Sequence, residues 1–161
     1  MVPPMRDKIN PDSFGFLIND IARLSRAVFE AEIEAAHLSV TAAEARVMAH
    51  MARCGATRQH LLAERLGMTP MSLTGFLDRL EAAGLIVRTA DLRDRRAKIV
   101  TLTPKASDVL AQIAQAGARA EQTLSDGISP DDWENFHRIA LQLRCNLSAP
   151  RVQTAKAEDA A

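Results

Sequence analysis

The stretch from Arg58 to Leu102 constrains this chain most, because its hydrophobic period changes from helical to extended within one short span. A first helical segment, Arg58 to Leu66, stops at Gly67, a residue suited to the left-handed position that ends a helix. Thr69-Pro70 then supplies a capping side chain and a first-turn proline for a second helix that ends at Ala83-Gly84. Two short helices joined by a few residues that include glycine have the sequence form of a helix-turn-helix. The β-branched runs Leu85 to Thr89 and Lys98 to Leu102 follow, and they read as two strands of a hairpin. Its tip, Asp91-Leu92-Arg93-Asp94-Arg95-Arg96, is strongly charged.

Helices are expected on both sides of this unit. From Phe14 to about Ala36, Phe14, Leu17, Ile21, Leu24 and Val28 recur every three or four residues, and Ile18, Phe29 and Ile33 widen the stripe. A face this broad exceeds what one small core needs, so part of it is expected to meet a second chain. Thr41 and Glu44 stand at capping-box spacing and open a helix from Ala42 to about Arg53. Thr103-Pro104 opens another, carrying Ala106, Leu110, Ile113, Gly117, Ala120 and Leu124 on one stripe. Ser129-Pro130-Asp131-Asp132 opens the last, where the aspartates suit the positive helix terminus and Trp133, Phe136, Ala140, Leu143 and Leu147 repeat the spacing.

The expected fold is therefore mostly α with a small β wing: a winged helix-turn-helix over 39–103, flanked by helical dimerisation segments at 14–38 and 104–147. Leu17, Ile21, Leu24, Leu124, Trp133, Phe136 and Leu143 are the expected dimer contacts, with Trp133 and Phe136 as anchors. The ends, 1–13 and 148–161, have the composition of disordered segments.

Composition narrows the function by exclusion. The 161 residues suit one compact domain, and 20 basic against 20 acidic residues give zero net charge, so a polyanion partner must be argued from where the charges sit. Cys54 and Cys145 are too few and too far apart for a disulfide framework or a paired-cysteine metal site. With no apolar signal core in Met1 to Asn10 and no run of membrane-spanning length, a soluble, cytoplasmic protein is expected. His37, His50, His60 and His137 are scattered, so no metal site is expected. No triad order or glycine-rich phosphate loop appears either, and neither a cofactor nor catalysis is expected.

The polar residues of the central unit point to nucleic acid. In the helix from Pro70 to Ala83, Leu73, Phe76, Leu77 and Leu80 fall on one side, leaving Met71, Ser72, Thr74, Gly75, Asp78 and Arg79 outward. Small hydroxyl residues near its start let such a helix approach base edges in a major groove. In the hairpin, Arg88, Arg93, Arg95, Arg96 and Lys98 stand against Asp91 and Asp94, a local surplus of three in a neutral chain. Arginine suits a narrow minor groove or bidentate phosphate contact, and Asp94 is placed to orient Arg96 by a charge-assisted hydrogen bond. The candidate DNA contacts are Arg58, Ser72, Thr74, Arg79, Arg93, Asp94, Arg95 and Arg96. The plainer alternative is a solvated helix face and a solvated hairpin tip.

The run Leu61-Leu62-Ala63-Glu64-Arg65-Leu66-Gly67-Met68-Thr69-Pro70, continued by Leu77-Asp78-Arg79-Leu80-Glu81-Ala82-Ala83-Gly84-Leu85-Ile86, resembles the MarR family of bacterial regulators. So does Asp91-Leu92-Arg93-Asp94-Arg95-Arg96-Ala97-Lys98 with Leu102-Thr103-Pro104-Lys105-Ala106. The resemblance is best from about Ser39 to Leu110. It implies a homodimer whose first and last two helices interlock, and two winged domains that read an inverted repeat in double-stranded DNA. It also implies a helix at Pro70 to Ala83 in the major groove and Arg96 in the minor groove. One position departs: the residue after Thr74 is often arginine in the family and is Gly75 here, so no target sequence carries over.

The resemblance also implies a repressor role with a small aromatic or phenolic effector, and the expected pocket lies between the dimer helices and the winged domain. Its lining is unknown from sequence; His37, Met48 and Met51 fall in suitable regions, where packing is the commoner role. Alternatives are a redox-responsive regulator of the same fold, although the first helix holds no cysteine, and a winged module that binds acidic protein surfaces instead of DNA.

Overall fold

The structure, a computed structural model, describes residues 9–148. The expectation of disorder over 1–8 and 149–161 falls outside the described residues. The chain divides into two compact units after Leu124.

In the first unit, α1 (Phe14–Ala35), α2 (Ala42–Cys54), α3 (Gln59–Leu66), α4 (Pro70–Ala82) and α5 (Ser107–Leu124) surround a three-stranded antiparallel sheet. The strands are β1 (Thr57–Arg58), β2 (Ile86–Ala90) and β3 (Lys98–Leu102), in the order β1-β3-β2. The architecture is mostly helical with a small sheet, as the sequence predicts.

Local chemistry sets most boundaries. Thr41 and Glu44 form the full capping box: the Glu44 N–H donates to Thr41 Oγ1 at 3.3 Å, and the Thr41 N–H donates to Glu44 Oε2 at 2.9 Å. Gly67 ends α3 at φ 61°, the left-handed position where a side chain would be strained, and the Met68 N–H closes onto the Ala63 carbonyl. Thr69 caps α4 through the Ser72 N–H, with Pro70 in its first turn.

Three boundaries differ from expectation. Arg58 does not begin α3; it is extended and pairs with Ile99 of β3, so a two-residue strand precedes the helix. β2 starts at Ile86 because the Leu85 N–H turns back to the Leu80 carbonyl. Thr103-Pro104 opens a 3-10 turn, Pro104–Ala106, ahead of α5, and the Thr103 hydroxyl donates to the Gly84 carbonyl at 2.7 Å rather than capping a helix.

One core unites the helices and the sheet. Met48, Met51, Leu62, Leu73, Leu77, Leu80, Ile86 and Val100 are all fully buried. Each large side chain of this kind adds about 1.5–3 kcal/mol over its exposed state. Leu73, Leu77 and Leu80 are the inward face of α4, which fixes its outward face in space. The first half of α1 contributes nothing to this core: Phe14, Phe16, Leu17, Ile18, Ile21 and Leu24 are all exposed, whereas Ile33 near its end is buried. The second unit holds α6 (Pro130–Ser148), which buries no residue; Phe136, Ile139, Leu141 and Leu147 are exposed, while Trp133 and Leu143 are half-buried. No described helix is long and apolar enough to cross a membrane.

Candidate nucleic-acid interface

Two polar surfaces stand on this core: the outward face of α4, and the tip of the β2–β3 hairpin. Every charged side chain on the outward face of α4 has an intramolecular partner. Arg79 donates from Nε to Glu44 Oε1 at 2.6 Å, and its guanidinium carbon lies 5.1 Å from the Phe76 ring centroid. Asp78 accepts from Arg88 Nη2 at 2.6 Å, and the same guanidinium reaches Glu81 Oε2 at 2.6 Å. The hydroxyls are engaged as well. Thr74 donates to the Pro70 carbonyl at 2.8 Å and accepts from Gln59 Nε2 at 2.9 Å. Ser72 Oγ accepts from Thr69 Oγ1 at 2.9 Å.

These pairs shift ionisation. Burial pushes Glu44 up, but the Thr41 N–H and the Arg79 guanidinium outweigh it and hold the carboxyl below its ordinary value. The hydrogen bond from Arg88 lowers Glu81, and the reciprocal bond raises Arg88.

The hairpin tip divides into a tied base and a free end. At the base, Asp91 is buried; its Oδ2 accepts from Arg58 Nε at 2.6 Å and its Oδ1 from the Arg93 N–H at 2.8 Å. The Arg93 backbone bond leads the causes that lower its pKa, with the Arg58 guanidinium adding to it against burial. At the end, Arg93, Asp94, Arg95 and Arg96 are exposed, and among the described residues no carboxylate pairs with the three arginine side chains.

Asp94 does not orient the Arg96 guanidinium as expected. Its Oδ1 accepts from the Arg96 backbone N–H at 3.0 Å, an Asx-type turn that shapes the loop and leaves the arginine side chain unheld. The expected surplus of three survives for another reason: Arg88 is neutralised by α4, and Asp91 by Arg58.

The candidates thus fall into two sets. Ser72, Thr74 and Arg79 stand on α4, and Arg93, Asp94, Arg95 and Arg96 on the tip, while Arg58 serves as a strut between β1 and the hairpin base. Sequence reasoning missed Gln59, which bridges α3 to α4, and the second role of Glu44. The capping motif had already accounted for Glu44, so no signal remained to suggest a partner 35 residues away.

A third feature lies away from this face. A groove of about 320 Å³ between α1, α2 and α3 is lined by Ser25, Arg26, Phe29, Arg46, His50 and Arg65, among others. Arg46 Nη1 meets Glu30 at 3.3 Å, and no ion pair involves Arg26 or Arg65 among the described residues. Burial lowers the pKa of His50, helped by Arg53, Arg46 and Arg65. Met48 and Met51, by contrast, are core residues, and His37 is an exposed residue at φ 48° beyond the end of α1. Cys54 is half-buried beside His50, Arg53 and Arg65, and Cys145 is exposed on α6.

A glycine-linked helix pair followed by an antiparallel hairpin defines a winged helix-turn-helix protein. Residues 40–98 match the MarR family model. The fold and sequence also match the transcriptional regulator PA3341, at 32% identity over 83% of this chain and 97% of that chain, with a TM-score of 0.67. The chain belongs to the MarR family of transcriptional regulators.

More distant solved structures share the fold. Wild-type MarR from E. coli in its apo form is 23% identical over 84% of this chain and 97% of that chain, with a TM-score of 0.70. A mutant of the same protein complexed with operator DNA is 21% identical over 86% and 96%, with a TM-score of 0.65. BpsR from Bordetella bronchiseptica, whose DNA binding is regulated by 6-hydroxynicotinic acid, is 22% identical over 88% and 98%, with a TM-score of 0.65.

Proposed function

We propose that this chain is a homodimeric, sequence-specific DNA-binding repressor whose affinity for an inverted repeat is set by a small organic effector. One observation carries the DNA part: Arg93, Arg95 and Arg96 project from a hairpin whose Arg88 and Asp91 are tied into ion pairs, and no carboxylate of the described residues pairs with them. Three exposed guanidinium groups on one loop suit the phosphates and the minor groove of a duplex. The related MarR structure complexed with operator DNA supports this reading.

The dimer reading rests on the exposed apolar side chains of α1 and α6, including Leu17, Ile21, Leu24 and Phe136, which water disfavours. Half-buried Leu124, Trp133 and Leu143 extend the expected contact set. The effector reading rests on the groove at Arg26, Arg46, His50 and Arg65, where several cations and the apolar wall of Phe29 and Leu66 suit an aromatic acid. The regulation of BpsR by 6-hydroxynicotinic acid supports this class of ligand.

Selection of bound duplexes from a random pool, followed by challenge of the selected complex with small aromatic acids, tests both parts. A palindromic consensus that an acid releases is the expected outcome. No enrichment of any duplex at moderate salt would remove the DNA function.

A further inference from the structure

The outward face of α4 has a vacancy at its centre. Gly75 carries no side chain, and a Cβ built there meets only one neighbouring atom within 4 Å, Arg79 Nη1 at 3.9 Å. Helical side chains lean toward the helix N-terminus, so Arg79, one turn later, reaches back to the edge of the space that a side chain at position 75 would fill.

Arg79 is held there from two sides. Its Nε–H is taken by Glu44 Oε1 at 2.6 Å, and its guanidinium carbon lies over the Phe76 ring, 5.1 Å from the centroid. Glu44 is itself buried and fixed by the Thr41 cap, so the anchor is a rigid one. With Nε engaged, the terminal edge bearing Nη1 and Nη2 remains, and the side chain is 58% exposed. Two parallel N–H groups on a planar edge match the O6 and N7 acceptors of guanine. Of the other outward groups of this helix, Thr74 is held by Gln59 and Pro70, and Asp78 by Arg88.

Resting on the DNA-binding reading above, we propose that Arg79 reads one guanine through the opening left by Gly75, and that Glu44 is its positioning residue. A phosphate contact would need the charge of Arg79 but not its orientation. A buried carboxylate on Nε and an aromatic ring under the guanidinium restrict its orientation and favour the base, since a bidentate pair depends on that orientation.

The test compares the full chain with Arg79→Lys, Glu44→Ala and Thr41→Ala on the duplex selected from a random pool and on duplexes with each G·C pair replaced in turn. For the unaltered chain, replacing one particular G·C pair is expected to weaken binding about 10- to 100-fold. Arg79→Lys keeps the charge and is expected to lose that discrimination while retaining the salt dependence. Glu44→Ala is expected to blunt the same single position. Thr41→Ala removes the hydroxyl half of the cap but keeps the Thr41 N–H that fixes Glu44 Oε2, and with it the Glu44–Arg79 contact, so it is expected to lower the melting temperature and leave base preference intact.

Gly75→Leu fills the opening and is expected to displace the guanidinium and erase the same preference. If Arg79→Lys keeps every base preference, or weakens all duplexes equally, the proposal is overturned and Arg79 is a phosphate contact or a strut. If no duplex is selected at all, the DNA-binding reading itself fails.

Discussion

The outward face of α4 and the tip of the β2–β3 hairpin are both rich in polar groups, yet they are built on opposite rules. On α4, Arg79, Asp78 and Thr74 are each held by a partner from another element or another turn, at 2.6 to 2.9 Å. At the tip, Arg93 and Arg96 are held only through their backbone N–H groups, by Asp91 and Asp94, and among the described residues no carboxylate pairs with the side chains of Arg93, Arg95 or Arg96. A fixed guanidinium loses little entropy on contact and discriminates by geometry, whereas a loose one adapts to a phosphate wherever it lies. Under the proposed function, the difference assigns selectivity to the helix and affinity to the hairpin.

Asp91 marks the border between the two rules, and removing it is expected to have the largest effect on stability. Asp91→Ala leaves Arg58 and the Arg93 N–H without their acceptor, so a loss of about 1–3 kcal/mol is expected in denaturant unfolding. Binding to selected and scrambled duplexes should weaken together, because the tip loses its base. An unchanged midpoint would show that the Arg58–Asp91 contact is not a strut.

Acidification is expected to weaken the tied region first. Glu44, Glu81 and Asp91 all have folded pKa values below their ordinary ones, so each contributes stability that is complete above the ordinary carboxylate range. That contribution is lost as pH falls through the lowered folded values. Unfolding free energy should therefore be flat near neutrality and fall steeply below about pH 4, and Glu44→Gln should flatten that fall. A fall equally steep in that variant would contradict the assignment.

A smaller effect is expected at Thr74→Val, which keeps the shape and removes the bridge to Gln59. A loss of about 0.5–1.5 kcal/mol should appear in stability, with base preference disturbed near Thr74 and salt dependence unchanged.

Much of this frame was legible in the sequence for a physical reason: caps, glycine stops and apolar periods are local. The Thr41–Glu44 box, the Gly67 stop and the Thr69-Pro70 start each involve residues within a few positions of one another. Leu73, Leu77 and Leu80 were separable from the outward side of α4 by period alone. What the sequence hid was long-range pairing. Nothing in Arg58 signals its contact with Asp91, and nothing in Arg88 signals Asp78 and Glu81.

The misreading of Asp94 has a different, local root. Two residues of separation suit a side-chain ion pair or a backbone turn equally well, and the hairpin tip selects the turn. The groove at Arg26, Arg46, His50 and Arg65 draws on three helices, so no single stretch announced it.

The central claim, that the exposed arginines of the tip provide sequence-independent affinity, is tested most directly by a salt titration. Duplex binding would be measured across salt concentrations for the full chain and for a variant with Arg93, Arg95 and Arg96 all replaced by alanine. Each lost phosphate contact lowers the slope of log K against log salt by about 0.9. The account predicts a slope flatter by up to about 3 units, the same on selected and scrambled duplexes. An unchanged slope, or a loss confined to the selected sequence, would contradict it.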